Sequence, residues 1–465
     1  MIHIGGVGED SVAAVAALGD GRIVVVGTFE NEVVFGESGG DARQLVSMGG
    51  QDAFVAVFAA DGSMSWVRQI GGIREEYTTD VVVSDHDRIY VLGTYEDSEV
   101  RFGNPESPDA VLGHSSGTDV FLVAYDSAGT LDWVQHGGGR DYDASWHAAV
   151  TSSGGIVVTG AFQTSAVFDG VGVRVNSTDS FYTFATFAVR YESDGTLAWA
   201  RSLGAGDWDS HMGNVAPKGG VAALEADSIA VTGPLVGQSV FGAGESREMT
   251  LPSGDGVEAF ILRLNARGEL VWLTAVETGG GTRGWVRAES IAPTSDGDIL
   301  LAGAYAPAAS FGVGEPNETT LTVSTFWDGF VARYRSDGSL LWVRAFGSDR
   351  GVNSSAVGTG VVQGDWVVGY FAGTVVFGGG DRATSSLSSA DPFDGFLARY
   401  GPTGDLRAIS SFGGSEDDVA TSVTTVGGSV VVAGEFGGEV RFGGAEGQSL
   451  WSAGGTDGFV AWYVP

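Results

Sequence analysis

The stretch GTDVFLVAYDSAGTLDWVQHGG at residues 117–138 carries the pattern that decides the fold. In it, Phe121 is followed four residues later by Tyr125, and Trp133 lies four residues after the turn glycine Gly129. Short runs of β-branched and aromatic residues that are separated by glycine turns are typical of antiparallel strands. This stretch therefore predicts two strands that are joined by a hairpin.

The same pattern recurs along the chain. The Phe and its partner four residues later occur at Phe54/Phe58, Phe121/Tyr125, Phe187/Tyr191, Phe260/Leu264, Phe330/Tyr334, Phe396/Tyr400 and Phe459/Tyr463. The Trp after a turn glycine occurs at Trp66, Trp133, Trp199, Trp272 and Trp342, and the sixth copy has Ala408 instead. A further Phe, followed by Gly except in the third copy, recurs every 65 to 73 residues at Phe35, Phe102, Phe168, Phe241, Phe311, Phe377 and Phe442. Three markers in register predict one repeat in seven copies.

Each copy predicts four strands, and its second strand is a continuous apolar run such as Ile23–Val26. Continuous hydrophobicity predicts a strand that is buried on both faces, as in blades that pack around an axis. We therefore expect an all-β fold with one domain over residues 1–465, a seven-bladed β-propeller of four-stranded blades. Its repeats begin near residues 5, 71, 138, 204, 280, 347 and 413.

The two ends of the chain predict how the ring closes. The seventh copy stops at residues 463–465, after its third strand, and Met1–Gly6 aligns with the end of a fourth strand, as Val67–Gly72 does. We expect the N-terminal strand to complete the last blade, because closure removes exposed sheet edges. The Trp-equivalent position would fall before Met1, so we also expect a native chain that is longer at its N-terminus.

Composition excludes several classes of partner. The formal net charge is −34, from 58 acidic and 24 basic residues, and Lys218 is the one lysine. Such a surface repels a phosphate backbone, so we expect no nucleic-acid binding. The chain has no cysteine, and no apolar run approaches the roughly 18 residues of a membrane span, so no membrane insertion is expected.

The motifs Gly27-Thr28-Phe29, Gly117-Thr118-Asp119 and Ser336-Asp337-Gly338 with Trp342 resemble the bacterial seven-bladed β-propeller repeat (SBBP-type) family of surface and secreted proteins. The resemblance covers essentially the whole chain. It implies a propeller at an extracellular or cell-surface location, with a leader outside this chain. The family implies no reaction and no catalytic residues.

The loops that lead into the first strand of each copy are acidic. Their carboxylates predict a Ca²⁺ site at the channel mouth, because Ca²⁺ takes about six to eight oxygen ligands. The alternative is that they face solvent or cap turn amides. The candidate ligands are Asp10, Glu76, Asp143, Asp209 and Asp417. A second acidic series, expected to be structural, comprises Asp52, Asp119, Glu258, Asp328, Asp394 and Asp457.

The loop into the fourth copy, within residues 204–220, is the most asymmetric segment. Aromatic rings beside acids and amides predict sugar recognition, because rings bury the apolar face of a sugar and polar groups bind its hydroxyls. The alternative is that a tryptophan of the insertion packs over the neighbouring blade. The candidate ligand-binding residues are Tyr142, Trp146, Asp207, Trp208, His211, Asn214, Lys218 and Trp285.

The sequence favours a non-enzymatic extracellular module that binds a glycan or a protein, as a monomer or as part of a larger surface assembly. One alternative is a carbohydrate-active hydrolase or lyase that uses a carboxylate pair at the channel mouth, Asp207 or Asp209 with Asp143. The other is a purely structural domain of a longer surface protein. Ligand identity, metal binding and catalysis stay open at this point.

Overall fold

In the computed structural model the chain is an all-β repeat protein, and the one helix in the described residues is the 3-10 turn Glu225–Asp227. The described part of the chain contains no helix long and apolar enough to span a membrane. The structure describes residues 1–463 except 36–42, 97–98, 105, 114–116, 175–182, 208–217, 253–255, 280–283, 324–326, 349–351, 360–364, 379–384, 390–392 and 444–446.

Thirty-eight strands are described. Those up to the end of the second copy are β1 (Ile2–Val7), β2 (Ser11–Ala17), β3 (Ile23–Phe35), β4 (Arg43–Phe58), β5 (Met64–Gly71), β6 (Glu76–Val83), β7 (Ile89–Glu96), β8 (Val100–Asn104), β9 (Ser107–Leu112), β10 (Thr118–Tyr125) and β11 (Leu131–Gly138). The third and fourth copies contain β12 (Asp143–Val150), β13 (Ile156–Gln163), β14 (Ser165–Phe168), β15 (Val171–Arg174), β16 (Thr183–Tyr191), β17 (Leu197–Asp207), β18 (Gly220–Ala223), β19 (Ile229–Leu235), β20 (Gln238–Phe241), β21 (Met249–Pro252), β22 (Glu258–Leu264) and β23 (Leu270–Thr278). The last three contain β24 (Trp285–Pro293), β25 (Ile299–Ala306), β26 (Ala308–Phe311), β27 (Thr319–Thr322), β28 (Asp328–Tyr334), β29 (Leu340–Ser348), β30 (Val352–Thr359), β31 (Asp365–Phe371), β32 (Thr374–Phe377), β33 (Ser385–Ser388), β34 (Asp394–Tyr400), β35 (Leu406–Gly414), β36 (Asp418–Val426), β37 (Ser429–Phe442) and β38 (Gln448–Tyr463).

Each copy forms an antiparallel meander, and the first copy shows the order β2-β3-β4-β5. Its second strand is buried from Ile23 to Phe29, as the continuous apolar run predicts. The following copies repeat this order in β6-β7-β10-β11, β12-β13-β16-β17, β18-β19-β22-β23, β24-β25-β28-β29 and β30-β31-β34-β35. This repeated sheet order is that of a β-propeller.

The first strands of the copies, called the inner strands, contact one another in the order β2, β6, β12, β18, β24, β30 and β36, and β36 contacts β2. Small side chains such as Ala13, Thr79 and Thr424 line a channel of about 440 Å³ between them. Side chains also link neighbours: the Ala148 amide donates to Asp80 at 2.9 Å. The inner strands therefore surround a narrow, mostly uncharged channel.

The N-terminal strand β1 pairs with β38, the third strand of the seventh copy, with Ile2 opposite Val460 and Ile4 opposite Gly458. Its other edge pairs with β3, where Ile4 lies opposite Phe35. The first six residues of the chain thus link the seventh copy to the first.

The two Phe markers of each copy pack against each other. Their ring centroids lie between 4.9 and 5.6 Å apart, mostly edge-to-face or tilted, within the favourable range for aromatic pairs. The pairs are Phe35–Phe54, Phe102–Phe121, Phe168–Phe187, Phe241–Phe260, Phe311–Phe330, Phe377–Phe396 and Phe442–Phe459. The sequence periodicity therefore reflects a contact that each copy repeats.

Candidate functional site

Several of the acids predicted to bind metal lie buried at the start of the inner strands. Glu76 and Asp143 are 0% and 1% exposed, and each carboxylate accepts an amide hydrogen bond at 2.6 Å, from Gly72 and Gly139 respectively. Asp10 is 0% exposed and accepts from the Glu30 amide at 3.3 Å. These contacts close the loop between two copies.

The other two predicted metal ligands are placed differently. Asp417 is exposed, and its neighbour Asp418 takes the buried position, accepting from the Gly414 amide at 2.7 Å. Asp209 lies outside the described residues. Within the described part of the chain, no three His, Asp or Glu side chains come together as a group that could hold a metal ion.

Burial changes the protonation of these acids. Burial raises the pKa of Asp143 and of Asp418 to about 8, and neighbouring carboxylates contribute to the shift. It raises the pKa of Asp10 to about 7, with a contribution from the charge of Asp457. At neutral pH these carboxyls are therefore largely protonated or half protonated.

Two of the predicted ligand-binding aromatics, Tyr142 and Trp285, occupy the same position in the third and fifth copies. Each immediately precedes an inner-strand residue that pairs in equivalent register, and each forms a parallel bridge with the preceding copy, to Thr118 and Val257 respectively. The first, second and seventh copies have acids at this position, Glu9, Glu75 and Asp417. The two aromatics therefore lie in the copies on either side of the fourth copy.

Tyr142 presents a supported ring to solvent. It is 41% exposed and packs edge-to-face on Phe184, with the ring centroids 6.1 Å apart. Tyr77 of the second copy is 37% exposed. Burial, the charges of Glu75 and Glu96, and Tyr142 itself raise the pKa of Tyr77 to about 12, which puts the two tyrosines in one acidic neighbourhood. The phenols are neutral at physiological pH and can donate hydrogen bonds.

Trp285 is half-buried and is held by its own strand. The guanidinium carbon of Arg287 lies 4.7 Å from the centroid of the Trp285 ring, within cation–π range. Burial lowers the pKa of Arg287, and the charge of Glu289 opposes that shift. Trp285 thus has a charged, positioned partner on one face.

The remaining predicted ligand-binding residues have mixed placements. Trp146 is 7% exposed in the wall between the third and fourth copies, where a Cβ on Gly219 would lie 2.6 Å from its ring. Asp207 ends β17, and nothing is described of its side chain. Trp208, His211 and Asn214 lie outside the described residues. Lys218 is described and exposed.

Two glutamates within electrostatic reach of Lys218, the buried Glu289 and the half-buried Glu435, were not found from the sequence. Glu289 is 3% exposed, and its Oε2 has no hydrogen-bond partner among the residues that the structure describes. Burial raises the pKa of Glu289, while the charges of Lys218, Arg287 and His147 oppose the shift. Burial also raises the pKa of Glu435, Glu9 adds to that shift, and Lys218 opposes it. Lys218 therefore lies within electrostatic reach of carboxyls from the fifth and seventh copies.

An alignment of the copies could have revealed Glu289. It lies at a bulge of β24, where the equivalent residues of other inner strands are the small Ala13, Thr79 and Thr421. A charged residue in place of a small one breaks the repeat. The signal was missed because sequence spacing alone does not show where the bulge lies.

A cleft of about 880 Å³ lies at the other end of the inner strands, among hairpin turns of the second and third copies. Two of its acids already have partners. Asp132 pairs with Arg88 at 2.9 Å, and Asp87 accepts from the Gly19 amide at 2.7 Å. The end that carries Tyr142, Lys218 and Trp285, called the upper rim, is the better candidate site.

No protein-family model matches the chain. It is similar to the uncharacterized WD repeat-containing protein L264 of Acanthamoeba polyphaga mimivirus, with 20% identity over 400 residues that cover 75% of this chain and 28% of that protein. The chain thus spans less than a third of that relative's length. WD repeats form propeller blades, in agreement with the β-propeller order of the strands.

Among solved structures, the chain is similar to a mutant NanB sialidase from Streptococcus pneumoniae, with a TM-score of 0.39, 9% identity and coverage of 80% of this chain and 65% of that one. It is also similar to the WD40 propeller domain of Doa1, with a TM-score of 0.24, 12% identity and coverage of 73% and 93%. The function is therefore argued from the chain's own residues.

Proposed function

We propose that this chain is one seven-bladed β-propeller, closed by β1 as the fourth strand of the last blade, and that it binds a glycan on its upper rim. The cyclic contact order of the inner strands and the pairing of β1 with β38 support the architecture. The resemblance to surface and secreted SBBP-type proteins supports an extracellular or cell-surface location, as a monomer or within a larger assembly.

The observation that carries the binding proposal is the equivalent placement of Tyr142 and Trp285. Their rings stand where other copies have acids, and they lie in the copies on either side of the fourth copy. Function in a repeat protein is expected where the repeat is broken, because the other copies show what folding alone requires. An aromatic pair on a polar rim is suited to a sugar, whose faces are apolar and whose edges carry hydroxyls.

The polar groups near these rings fit the same ligand. Phe184 supports Tyr142 and Arg287 holds Trp285, so little side-chain freedom is lost on binding. Lys218 supplies donors to hydroxyl oxygens.

The test is retention on immobilised polysaccharides, run with Ca²⁺ and again with a chelator. We expect binding by the full chain and a loss of about tenfold or more in affinity in Tyr142→Ala and Trp285→Ala. Trp451→Ala is the matched control, because Trp451 is 66% exposed on β38 of the seventh copy. If no polysaccharide is retained, a protein is the better ligand; if all three variants bind alike, the rim site is wrong.

Glu289 favours a second candidate function, a carbohydrate-active enzyme. A buried carboxyl with a raised pKa can protonate the leaving oxygen of a glycosidic bond, and Glu435 supplies a second carboxyl. The test is the release of reducing ends from each retained polysaccharide by the wild type and by Glu289→Gln. If the wild type releases reducing ends and Glu289→Gln abolishes the release without loss of binding, the enzyme is supported. If the wild type releases none, this candidate function is wrong.

A further inference from the structure

At five junctions between consecutive copies, a tryptophan of one copy lies beneath the turn that joins the third and fourth strands of the next copy. Trp272 is an example. Its indole Nε1–H donates to the main-chain oxygen of Ser336 at 2.9 Å, and a Cβ on Gly338 of that turn would lie 2.9 Å from its ring. The turn glycines above these tryptophans are all buried: Gly129, Gly195, Gly268, Gly338 and Gly404.

The junction between the seventh and first copies has the same turn but no tryptophan beneath it. Gly62 takes the equivalent position, with a φ of 87° against 89° at Gly338, yet it is only half-buried. Among the described residues, the atom nearest to its Cβ position is Cγ1 of Ile2, at 3.8 Å. Trp462 of β38 packs against the core of these two copies without coming that close. The space beneath Gly62 is therefore wider than at the five other junctions.

The edge of β38 beside this space is also open. β1 pairs with β38 as far as Ile2, opposite Val460. Beyond that point, no strand in the described part of the chain pairs with the same edge at Trp462 and Tyr463. Tyr463 is half-buried, whereas its equivalents in the other copies are all buried: Phe58, Tyr125, Tyr191, Leu264, Tyr334 and Tyr400.

The five occupied junctions define a segment that would fill both openings. In each of them, the residue opposite the equivalent of Tyr463 is Leu or Met, and the covered tryptophan follows two positions later. A Leu-x-Trp strand that continues β1 along β38 would therefore place its tryptophan opposite Trp462 and beneath Gly62. The main-chain oxygen of Ala60, which is equivalent to that of Ser336, would accept from the indole. An aromatic pair across two strands adds to the stability of such pairing.

We propose that this site, called the indole site and formed by Ala60, Gly62, Trp462 and Tyr463, binds a Leu-x-Trp segment of a partner protein by strand addition to β38. Main-chain hydrogen bonds along the open edge supply affinity, and the space for the side chain supplies specificity. Tryptophan suits it because its ring buries a large apolar area while its N–H reaches an acceptor.

The position of the indole site favours a separate partner. The described Leu-x-Trp and Met-x-Trp segments of this chain already pair within their own blades, so a second copy does not offer one. The turn at Gly62 joins β4 to β5, at the end of the blade opposite the upper rim. The indole site therefore leaves the proposed glycan site free.

The first test is binding of a fluorescein-labelled peptide to the full chain, measured by fluorescence anisotropy. The peptide has the sequence of residues 193–199, Ser-Asp-Gly-Thr-Leu-Ala-Trp. We expect saturable binding, and a loss of about tenfold or more in affinity when alanine replaces the tryptophan of the peptide. No binding of the tryptophan peptide, or equal binding of the two peptides, would overturn the proposal.

The second test repeats this measurement with two variants of the chain. Gly62→Asn places a side chain in the indole site, and asparagine tolerates a positive φ. Gly21→Asn is the matched control, because Gly21 has a φ of 89° in the other hairpin turn of the first copy and no described atom lies within 4 Å of its Cβ position. We expect Gly62→Asn to lose about tenfold or more in affinity and Gly21→Asn to keep it. If both variants bind the peptide as the wild type does, the indole site is wrong.

The third test identifies the source of the segment. Joining the same seven residues to Met1 supplies the segment within one chain, and occupation of the indole site should then raise the melting temperature above that of the version with alanine for tryptophan. Such a rise without binding of the free peptide would place the segment in the same chain and overturn a partner protein. Self-association of the wild-type chain that Gly62→Asn abolishes would instead show a second copy in the site. Because no glycan is used, these results are independent of the upper-rim proposal.

Discussion

The indole Nε1–H of Trp66 donates to the main-chain oxygen of Ser127, 3.2 Å away in the next copy. A Cβ on Gly129 of the same turn would lie 2.7 Å from the Trp66 ring, so glycine is needed beneath it. The bond recurs from Trp133 to Ser193, from Trp199 to Ala266, from Trp272 to Ser336 and from Trp342 to Pro402. The Trp and the turn glycine of this repeat marker thus form a contact between neighbouring copies.

Replacing one of these tryptophans should destabilise the fold. Trp199 is 9% exposed, so Trp199→Ala should lower the free energy of unfolding by about 3–5 kcal/mol through the cavity that it leaves. Urea unfolding measures the change. The control is Trp451→Ala, which should stay within about 0.5 kcal/mol because Trp451 is exposed. Equal effects of the two variants would show that the contact between copies contributes little.

The glycine before each Thr-Phe or equivalent step should also be sensitive. A Cβ on Gly303 would lie 1.8 Å from the main-chain oxygen of Arg287 at the bulge of β24. Gly303→Ala should therefore cost about 3 kcal/mol of stability through forced backbone shifts. Gly172→Ala is the control, because no atom lies within 4 Å of its Cβ position. Thermal unfolding of both variants measures the difference. Similar melting temperatures for Gly303→Ala and Gly172→Ala would argue against the close approach.

Removing the charge of Lys218 should change the protonation of two glutamates that are distant from it in the sequence. Lys218 opposes the raised pKa of Glu289 and of Glu435, so Lys218→Gln should raise both further. Carboxyl ¹³C chemical shifts of glutamate-labelled protein, followed against pH, measure the change. Arg267→Gln, an exposed change in a turn of the fourth copy, should leave both values as they were. If the pKa of neither glutamate changes in Lys218→Gln, Lys218 does not lie near them at the channel mouth.

Acid should weaken a contact on the opposite face. Burial favours the neutral form of Asp227, but hydrogen bonds from Ser152, Ser153 and Arg190 prevail and hold the pKa of Asp227 well below its usual range. Its contribution is therefore present above the unfolded pKa, about 4, and is lost as the pH falls further.

Asp227→Asn should cost about 1–3 kcal/mol at neutral pH and should make the melting temperature less sensitive to acid below about pH 4. Asp85→Asn, an exposed change in a hairpin turn of the second copy, is the control. If both variants keep the wild-type acid profile, the bonds of Asp227 do not stabilise the fold.

Much of the fold could be predicted because each marker has one structural task. The continuous apolar run Ile23–Val26 indicated burial on both faces, and the strand is buried from Ile23 to Phe29. The all-β class and the repeat are confirmed by the strand order. Spacing could not show that Phe35 packs on Phe54, because that contact joins a hairpin to a strand and depends on register.

The site was harder to predict, because burial decides which carboxyls and rings are available to a ligand, and the sequence does not show which residues are buried. Asp417 and Asp418 are adjacent and identical in type, yet Asp418 is buried and Asp417 is exposed. Trp146 is an aromatic residue of the type that binds sugars, but it is buried between two copies. Tyr142 and Trp285 were predicted only as aromatics near acidic loops, and the strand register adds that they occupy the same position in two copies.

The pairing of β1 with β38 also has a consequence for the order of synthesis. Ile2 leaves the ribosome more than four hundred residues before its partner Val460. The other edge of β1 pairs with β3 only some thirty residues away, with Ile4 opposite Phe35. During synthesis β1 can therefore pair with β3 early, whereas its second edge can pair only after β38 has been made.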